Sequence, residues 1–265
     1  MSKFAIQTIA WGNASLDDIM RDVVAVGYDG IELFQHPEEL GGMSRIVEAC
    51  RDTRVMGKGT HVQLVGLSAG SFKERCALVK EYCALTGIRT NDQHEAPYVY
   101  CDEWKSSDLQ FARALREGVR VALHPNMYKP VQTLREADEI LTANPFLLFL
   151  PDTAHLTIAG DDPVDAIRWY ATRLAAVHIK DWREEVGRSF HFYARGFCEL
   201  GEGLIAFDAI LDELARKSYQ GWYVVEQDTT STPRQSIEKN LMWLKREVSA
   251  TSRRLMDPRF ALQGL

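Results

Sequence analysis

Four positions in this 265-residue chain carry side chains that ligate divalent cations, and all four stand at the ends of apolar runs. Residues 119–123 run into His124-Pro125-Asn126, and residues 146–150 run into Pro151-Asp152. The run 174–179 carries His178 and continues into Lys180-Asp181, and residues 222–225 end at Glu226. Two imidazoles and two carboxylates make a mixed nitrogen and oxygen donor set. Such a set suits Mn, Co, Fe or Zn better than Mg or Ca, which favour all-oxygen shells. Any one of the four alone is as readily a polar strand end satisfied by its loop. Four on successive strands favour one shared ion. His155 follows Asp152 by three residues, a spacing that lets both side chains face one point. A helix cap or a core histidine is the competing reading there.

These residues converge only if their strands lie parallel and adjacent. Short apolar runs at 4–11, 30–34, 58–65, 96–101, 119–124, 146–150, 174–179 and 221–226 read as strands. Stretches with helical spacing follow each of them. Leu16, Ile19, Met20 and Val23 recur behind Ser15 and Asp18, which resemble a capping box, and Gly27 closes that helix. Further helices are expected at 43–51, 72–85, 107–117, 134–141, 205–217 and 233–248. Another begins at Asp161-Asp162-Pro163 with Val164, Ile167, Tyr170 and Leu174 as its buried stripe. Eight strand–helix pairs in alternation predict a single α/β domain, a closed (β/α)8 TIM barrel over residues 1–248. A doubly wound sheet would need a glycine fingerprint after the first strand, and Ala10-Trp11-Gly12-Asn13 is not one. Residues 249–265 show no regular pattern and read as a C-terminal arm. Residues 182–203 form a long polar and aromatic loop, expected to be a lid or a functional loop.

Composition narrows the function classes. The net charge is −6 and no cluster of Lys and Arg occurs, which argues against a nucleic-acid groove. The five cysteines (50, 76, 83, 101, 198) are odd in number, with no CxxC spacing and no zinc-finger pattern, as expected of reduced thiols in a cytoplasmic protein. No apolar run approaches the roughly 20 residues that span a bilayer. The N-terminus has no signal-peptide pattern.

Several stretches carry a family resemblance. Gly27-Tyr-Asp-Gly-Ile-Glu-Leu, Leu150-Pro-Asp-Thr-Ala-His-Leu, Val177-His-Ile-Lys-Asp, Leu200-Gly-Glu-Gly and Tyr219-Gln-Gly-Trp-Tyr-Val-Val-Glu226 appear in that order. They resemble motifs of the xylose-isomerase-like barrels, the sugar phosphate isomerase/epimerase superfamily. The resemblance implies a divalent metal held by Glu, Asp, His and Glu. Asp152, His178 and Glu226 match the last three, whereas His124 stands where the family has Glu. His124-Pro-Asn126-Met-Tyr128-Lys-Pro-Val131-Gln-Thr133 is partly similar to the inosose dehydratase branch, with Asn126 in place of a second His and Tyr128-Lys129 in place of Gly-Thr.

The replaced glutamate has chemical content. Ketose epimerases that this chain resembles use two carboxylate bases. One base, a metal-polarised carbonyl and a nearby acid suffice for elimination of water through an enediolate. Glu226 or His155 is the expected base, and His155 or Lys180 the expected acid. The resemblance places Glu32 at a substrate contact; a buried ion pair is the competing reading. His61 is expected to reach the mouth from the third strand, against a loop-satisfied His. Trp11, Phe34 and Trp182 are candidate walls for a polyol. Arg183, Arg188, His191 and Arg195 are candidates to neutralise a substrate carboxylate or phosphate. The leading expectation is a metal-dependent dehydratase of a keto-sugar or keto-cyclitol, in a possible homo-oligomer. An isomerase or epimerase on the same metal, with His124 as base or ligand, is the runner-up. A superfamily barrel working as a scaffold subunit, and nucleic-acid repair chemistry, complete the alternatives.

Overall fold

A computed structural model describes residues 2–52, 61–102, 104, 109–189 and 193–256. Its strands are β1 (Lys3–Gln7), β2 (Gly30–Leu33), β3 (Gln63–Leu67), β4 (Tyr98–Cys101), β5 (Arg120–Leu123), β6 (Leu148–Phe149), β7 (Val177–Ile179), β8 (Asp181–Trp182), β9 (Phe197–Cys198) and β10 (Trp222–Val225). The helices are α1 (Leu16–Val26), α2 (Met43–Asp52), α3 (Phe72–Thr86), α4 (Leu109–Arg116), α5 (Leu134–Ala143), α6 (Thr153–Ala159), α7 (Pro163–Tyr170), α8 (Glu184–Ser189), α9 (Phe207–Arg216) and α10 (Pro233–Met256). Eight strands form one parallel sheet in the order β6-β5-β4-β3-β2-β1-β10-β7. Two single parallel bridges, Phe149 with Leu174 and Asp152 with His178, join its ends and close the cylinder. This is the expected (β/α)8 barrel.

Each strand buries nearly every residue, since its outer face meets helices and its inner face fills the barrel. The helices present apolar stripes to the sheet, as Ile19, Met20 and Val23 of α1 do. Ser71 with Glu74 and Thr133 with Glu136 form reciprocal capping boxes that fix where α3 and α5 begin. Gly27 ends α1 in the left-handed conformation, φ 94°.

The boundaries differ from the sequence expectation in four informative places. The first strand is shorter than read, because Thr8–Trp11 turns into a 3-10 helix whose Thr8 hydroxyl and carbonyl are both bound by Gln35. The third strand begins at Gln63, and residues 53–60 lie outside the described residues. Gly66 hid the second half of that strand from pattern reading, because it breaks the apolar run. Among its described residues the loop after β7 holds regular structure: β8 and β9 pair antiparallel, with α8 between them in sequence. At the C-terminus, α10 continues to Met256, eight residues into the expected arm; residues 257–265 lie outside the described residues. Among the described residues no helix is long and apolar enough to cross a membrane.

Gly66 deserves its place for a steric reason. A Cβ there would lie 2.5 Å from the Tyr98 ring, whose hydroxyl crosses the barrel to Glu32. Gly66→Ala therefore has to displace an aromatic ring in a packed interior. The expected loss is about 1–3 kcal/mol of stability, read as a lower urea midpoint. A variant as stable as the wild type would show that the ring has room to move.

Candidate metal centre and active site

All four predicted ligands emerge from the C-terminal ends of barrel strands. His124 follows β5, Asp152 follows β6, His178 lies in β7 and Glu226 follows β10. Each is buried, and Asp152 and His178 have no solvent exposure. Local structure explains the Asp–His spacing. Asp152 is the N-cap of α6: its Oδ1 accepts the backbone N–H groups of Ala154 and His155 at 2.7 and 2.8 Å. Capping thus uses one carboxylate oxygen and leaves Oδ2 free. Thr153 ties the start of α6 to β7, since its hydroxyl donates to the Lys180 carbonyl and accepts the Lys180 N–H.

The atoms left over point to a cation. Asp152 Oδ2, His178 Nδ1 and Glu226 Oε2 are buried and make no hydrogen bond. His178 Nδ1 lies 2.7 Å from Glu226 Oε2 without hydrogen-bond alignment, and 3.8 Å from Asp152 Oδ2. Among the described residues, Asp152, His178 and Glu226 place ligand atoms within 4.8 Å of one another. A second such group, His124, Asp152 and His155, shares Asp152 with the first. Buried carboxylate and imidazole donors without partners are costly unless a positive charge sits among them, so this donor set fits a divalent ion. The four expected residues thus gather around Asp152, which belongs to both groups. His124 Nδ1 lies 3.0 Å from the Leu150 carbonyl, which only accepts. The ring proton is therefore on Nδ1, and Nε2 carries the lone pair.

Among the residues themselves the charges are strongly perturbed. Burial, helped by neighbouring His178, holds His124 down at about 4. Burial opposes a proton on His178 as well, but Glu32 and Glu226 outweigh it and raise that ring to about 10. For Glu226, burial disfavours the charge, yet Lys180 and His178 hold its carboxyl well below the usual carboxylate range. Burial pushes Asp152 up, against the pull of Lys180. Burial and then Lys180 keep His155 well below the ordinary imidazole value.

His155 has a defined orientation. Asn126 Oδ1 accepts the Tyr128 N–H at 3.0 Å, so its amide nitrogen faces His155 Nε2 at 3.1 Å. An amide nitrogen only donates, so Nε2 accepts and the proton of His155 sits on the unpartnered Nδ1. Lys180 is fully buried, with Nζ 2.8 Å from Glu226 Oε1 and 2.6 Å from Asp228 Oδ1. Its ammonium also lies 3.7 Å from the Phe197 ring centroid.

Other expected site residues fall elsewhere. His61 is exposed just ahead of β3, at the N-terminal end of the barrel, where it lines a separate cavity with Lys3, Asp29 and Trp222. It misses the mouth because the strand starts later than its pattern implied. Glu32 has no solvent exposure, and its oxygens are taken by Gln7, Tyr98, Tyr100 and His178, which leaves none for a substrate. Trp11 is buried and donates its indole N–H to Asp22 of α1, so it packs. Trp182 is buried against Gly187 and Gly196. Phe34 is 47% exposed after β2. Arg183 pairs with Glu202, and Arg195 is exposed two residues before Phe197. His191 and the side chain of Arg188 lie outside the described residues.

Sequence reading missed Gln7, Tyr98, Tyr100, Phe197 and Asp228. Tyr98 and Tyr100 alternate on one strand, so both face inward, and that period was the available signal.

Comparison with known proteins follows the same line. The sequence model of a family described as xylose isomerase-like TIM barrel matches residues 20–247. Inosose dehydratase 1 of Bacillus cereus (strain ZK / E33L) is 33% identical over 126 residues, 43% of this chain and 42% of the relative. Inosose dehydratase of Clostridium tetani (strain Massachusetts / E88) is 31% identical over 149 residues, 51% of this chain and 50% of the relative. The chain thus spans about half the length of the curated relatives it matches. Among solved structures, the probable 3-DHS dehydratase AsbF of Bacillus anthracis superposes with a TM-score of 0.66 at 16% identity, over 92% of this chain and 98% of that one. The IolI protein with a bound zinc atom gives 0.67 at 16% identity, over 94% and 99%. At that identity the two structural likenesses concern the fold alone.

The buried lysine generates a test. Lys180→Met leaves the buried Glu226 and the half-buried Asp228 without their counter-charge, which is expected to cost about 3–5 kcal/mol in urea unfolding. A loss below about 1 kcal/mol would show that Lys180 does not compensate those carboxylates.

Proposed function

Because the chain belongs to the xylose isomerase-like TIM barrel family, we propose that it is a divalent-metal-dependent dehydratase of a keto-sugar or keto-cyclitol. The observation that carries this reading is the set of buried, unpartnered ligand atoms on Asp152, His178 and Glu226, within 4.8 Å of one another. These three would hold the ion, with His124 Nε2 as a fourth donor from the Asp152 side. The donor set favours Mn, Co, Fe or Zn over Mg. The ion, when bound, supplies Lewis-acid polarisation of the substrate carbonyl. The matched inosose dehydratases supply the substrate class, since an inosose is a keto-cyclitol.

The protein's own groups then divide the work. Glu226 is the carboxylate base for the proton α to the carbonyl. One base suffices in a dehydration, because the proton taken from carbon leaves with the hydroxyl as water. That accounts for a His where the epimerases of this superfamily carry a second Glu. His155, with its proton on Nδ1, donates a hydrogen bond to the departing hydroxyl. Lys180 orients Glu226 through Oε1. Held between two carboxylates that raise its pKa, it is a poor acid, so the acid role expected for it passes to His155 and Glu226. Phe197, beside Lys180 and 5.7 Å from the His155 ring, keeps water from that side.

Two measurements test the proposal. Metal content is expected at about one ion per chain in the wild type, and to be lost in Asp152→Ala, His178→Ala and Glu226→Ala. Retention in His124→Ala would restrict the shell to three residues. With inosose in D2O, the loaded enzyme is expected to release water, and Glu226→Gln to be slower by at least ~10²-fold. Solvent exchange at carbon without loss of water would turn the reading to an epimerase. No metal after supply of Mn or Co would sink both readings in favour of a scaffold.

A further inference from the structure

Glu32 touches no exposed surface, yet it contacts the imidazole at the centre of the site. We propose that Glu32 is a positioning residue for the metal centre: it fixes the proton of His178 on Nε2, so that the Nδ1 lone pair faces Asp152 and Glu226. The inference rests on reading those residues as cation ligands.

The hydrogen-bond directions carry it. An ionised carboxylate only accepts, with about four positions for donors. Gln7 Nε2 donates to Glu32 Oε1 at 2.7 Å, and the Tyr98 and Tyr100 hydroxyls donate one proton each. The fourth neighbour is His178 Nε2, 3.2 Å from Oε2. Tyr100 has one proton and gives it to Glu32, so its oxygen can only accept from His178 Nε2, 2.9 Å away, and from Gln7 at 2.8 Å. Every polar group in contact with His178 Nε2 is therefore an acceptor, and Nε2 must hold the hydrogen. Nδ1 is left on the other side of the ring, 2.7 Å from Glu226 Oε2. In the opposite tautomer a hydrogen would occupy the position that a cation needs.

The arrangement also explains how a charged Glu survives inside a barrel. Gln7, Tyr98, Tyr100 and His178 replace, donor by donor, the water that burial removes. The donors come from β1, β4 and β7, so three strands of the barrel direct inward-facing side chains at one carboxylate. A partner beyond the ligand shell that orients a metal-bound His is typically worth 10–100-fold in metal affinity.

The test uses zinc affinity by chelator competition and 15N NMR of the histidine rings. Glu32→Gln is the main variant, because its amide can donate to Nε2 and permit the other tautomer. It is expected to bind zinc 10–100-fold more weakly and to shift His178 toward the Nδ1–H form. Tyr98→Phe removes a donor that shares Glu32 Oε2 with His178 but keeps the Glu32 carboxylate as the acceptor for Nε2, and is expected to stay within a few-fold of the wild type. Equal affinity in Glu32→Gln, or an equal loss in Tyr98→Phe, would overturn the inference while leaving the metal site intact. Should Glu32→Gln fail to fold, the zinc-loaded wild type still decides: a His178 that binds through Nε2 overturns the inference. A wild type that takes up no zinc overturns the metal reading, and this inference with it.

Discussion

The interior of this barrel is governed by the cost of burying charge. Glu32, Asp152, His178 and Lys180 have no solvent exposure, and Glu226 is nearly as deep. Removing an ion from water costs several kcal/mol even after relaxation, unless partners replace the hydration shell. The surrounding elements supply those partners one by one. β1 and β4 give Gln7 and two tyrosines to Glu32, the first turn of α6 gives two N–H groups to Asp152, and Asp228 adds a second carboxylate to Lys180. A barrel core built only from aliphatic layers would be simpler to stabilise. Here packing and charge compensation are solved with the same residues, and Gly66 is small so that Tyr98 can reach its acceptor.

The long loop after β7 is organised by the same constraint. Asp181 accepts backbone N–H groups from Trp182, Gly201, Gly203 and Ile205. Those four contacts anchor the loop at both ends, and the β8–β9 pair brings Phe197 onto Lys180. Residues 182–203 are thus fastened at their roots to the sheet beside the site. That differs from a lid swinging on polar hinges. The composition of the loop could not reveal this, because its anchor is a set of backbone groups that any sequence possesses.

What the sequence disclosed follows from which signals are local. Alternation of apolar runs and helical stripes was enough for the barrel, and strand-end position was enough to place His124, Asp152, His178 and Glu226 at one end of it. Register was harder. His61 was expected to reach the mouth from a strand read as 58–65, but the strand runs from Gln63 to Leu67 and His61 lies at the other end. Glu32 was visible as an oddity inside a strand, but its partners are 25 to 146 residues away in the chain. The roles of Lys180 and Asn126 likewise depend on hydrogen-bond direction, which becomes legible only when Asp228, Tyr128 and His155 are in place.

β6 is two residues long, and the cylinder closes there through two isolated bridges, of which one joins Asp152 to His178. The His178 N–H donates to the Pro151 carbonyl at 2.9 Å, across the line where the sheet's two ends meet. The chemistry is therefore stitched over the seam of the barrel. Anything that grips both side chains also buttons that seam, and any slackening of the seam pulls the two donors out of reach of each other. In this protein the integrity of the sheet and the geometry of its centre are one mechanical quantity.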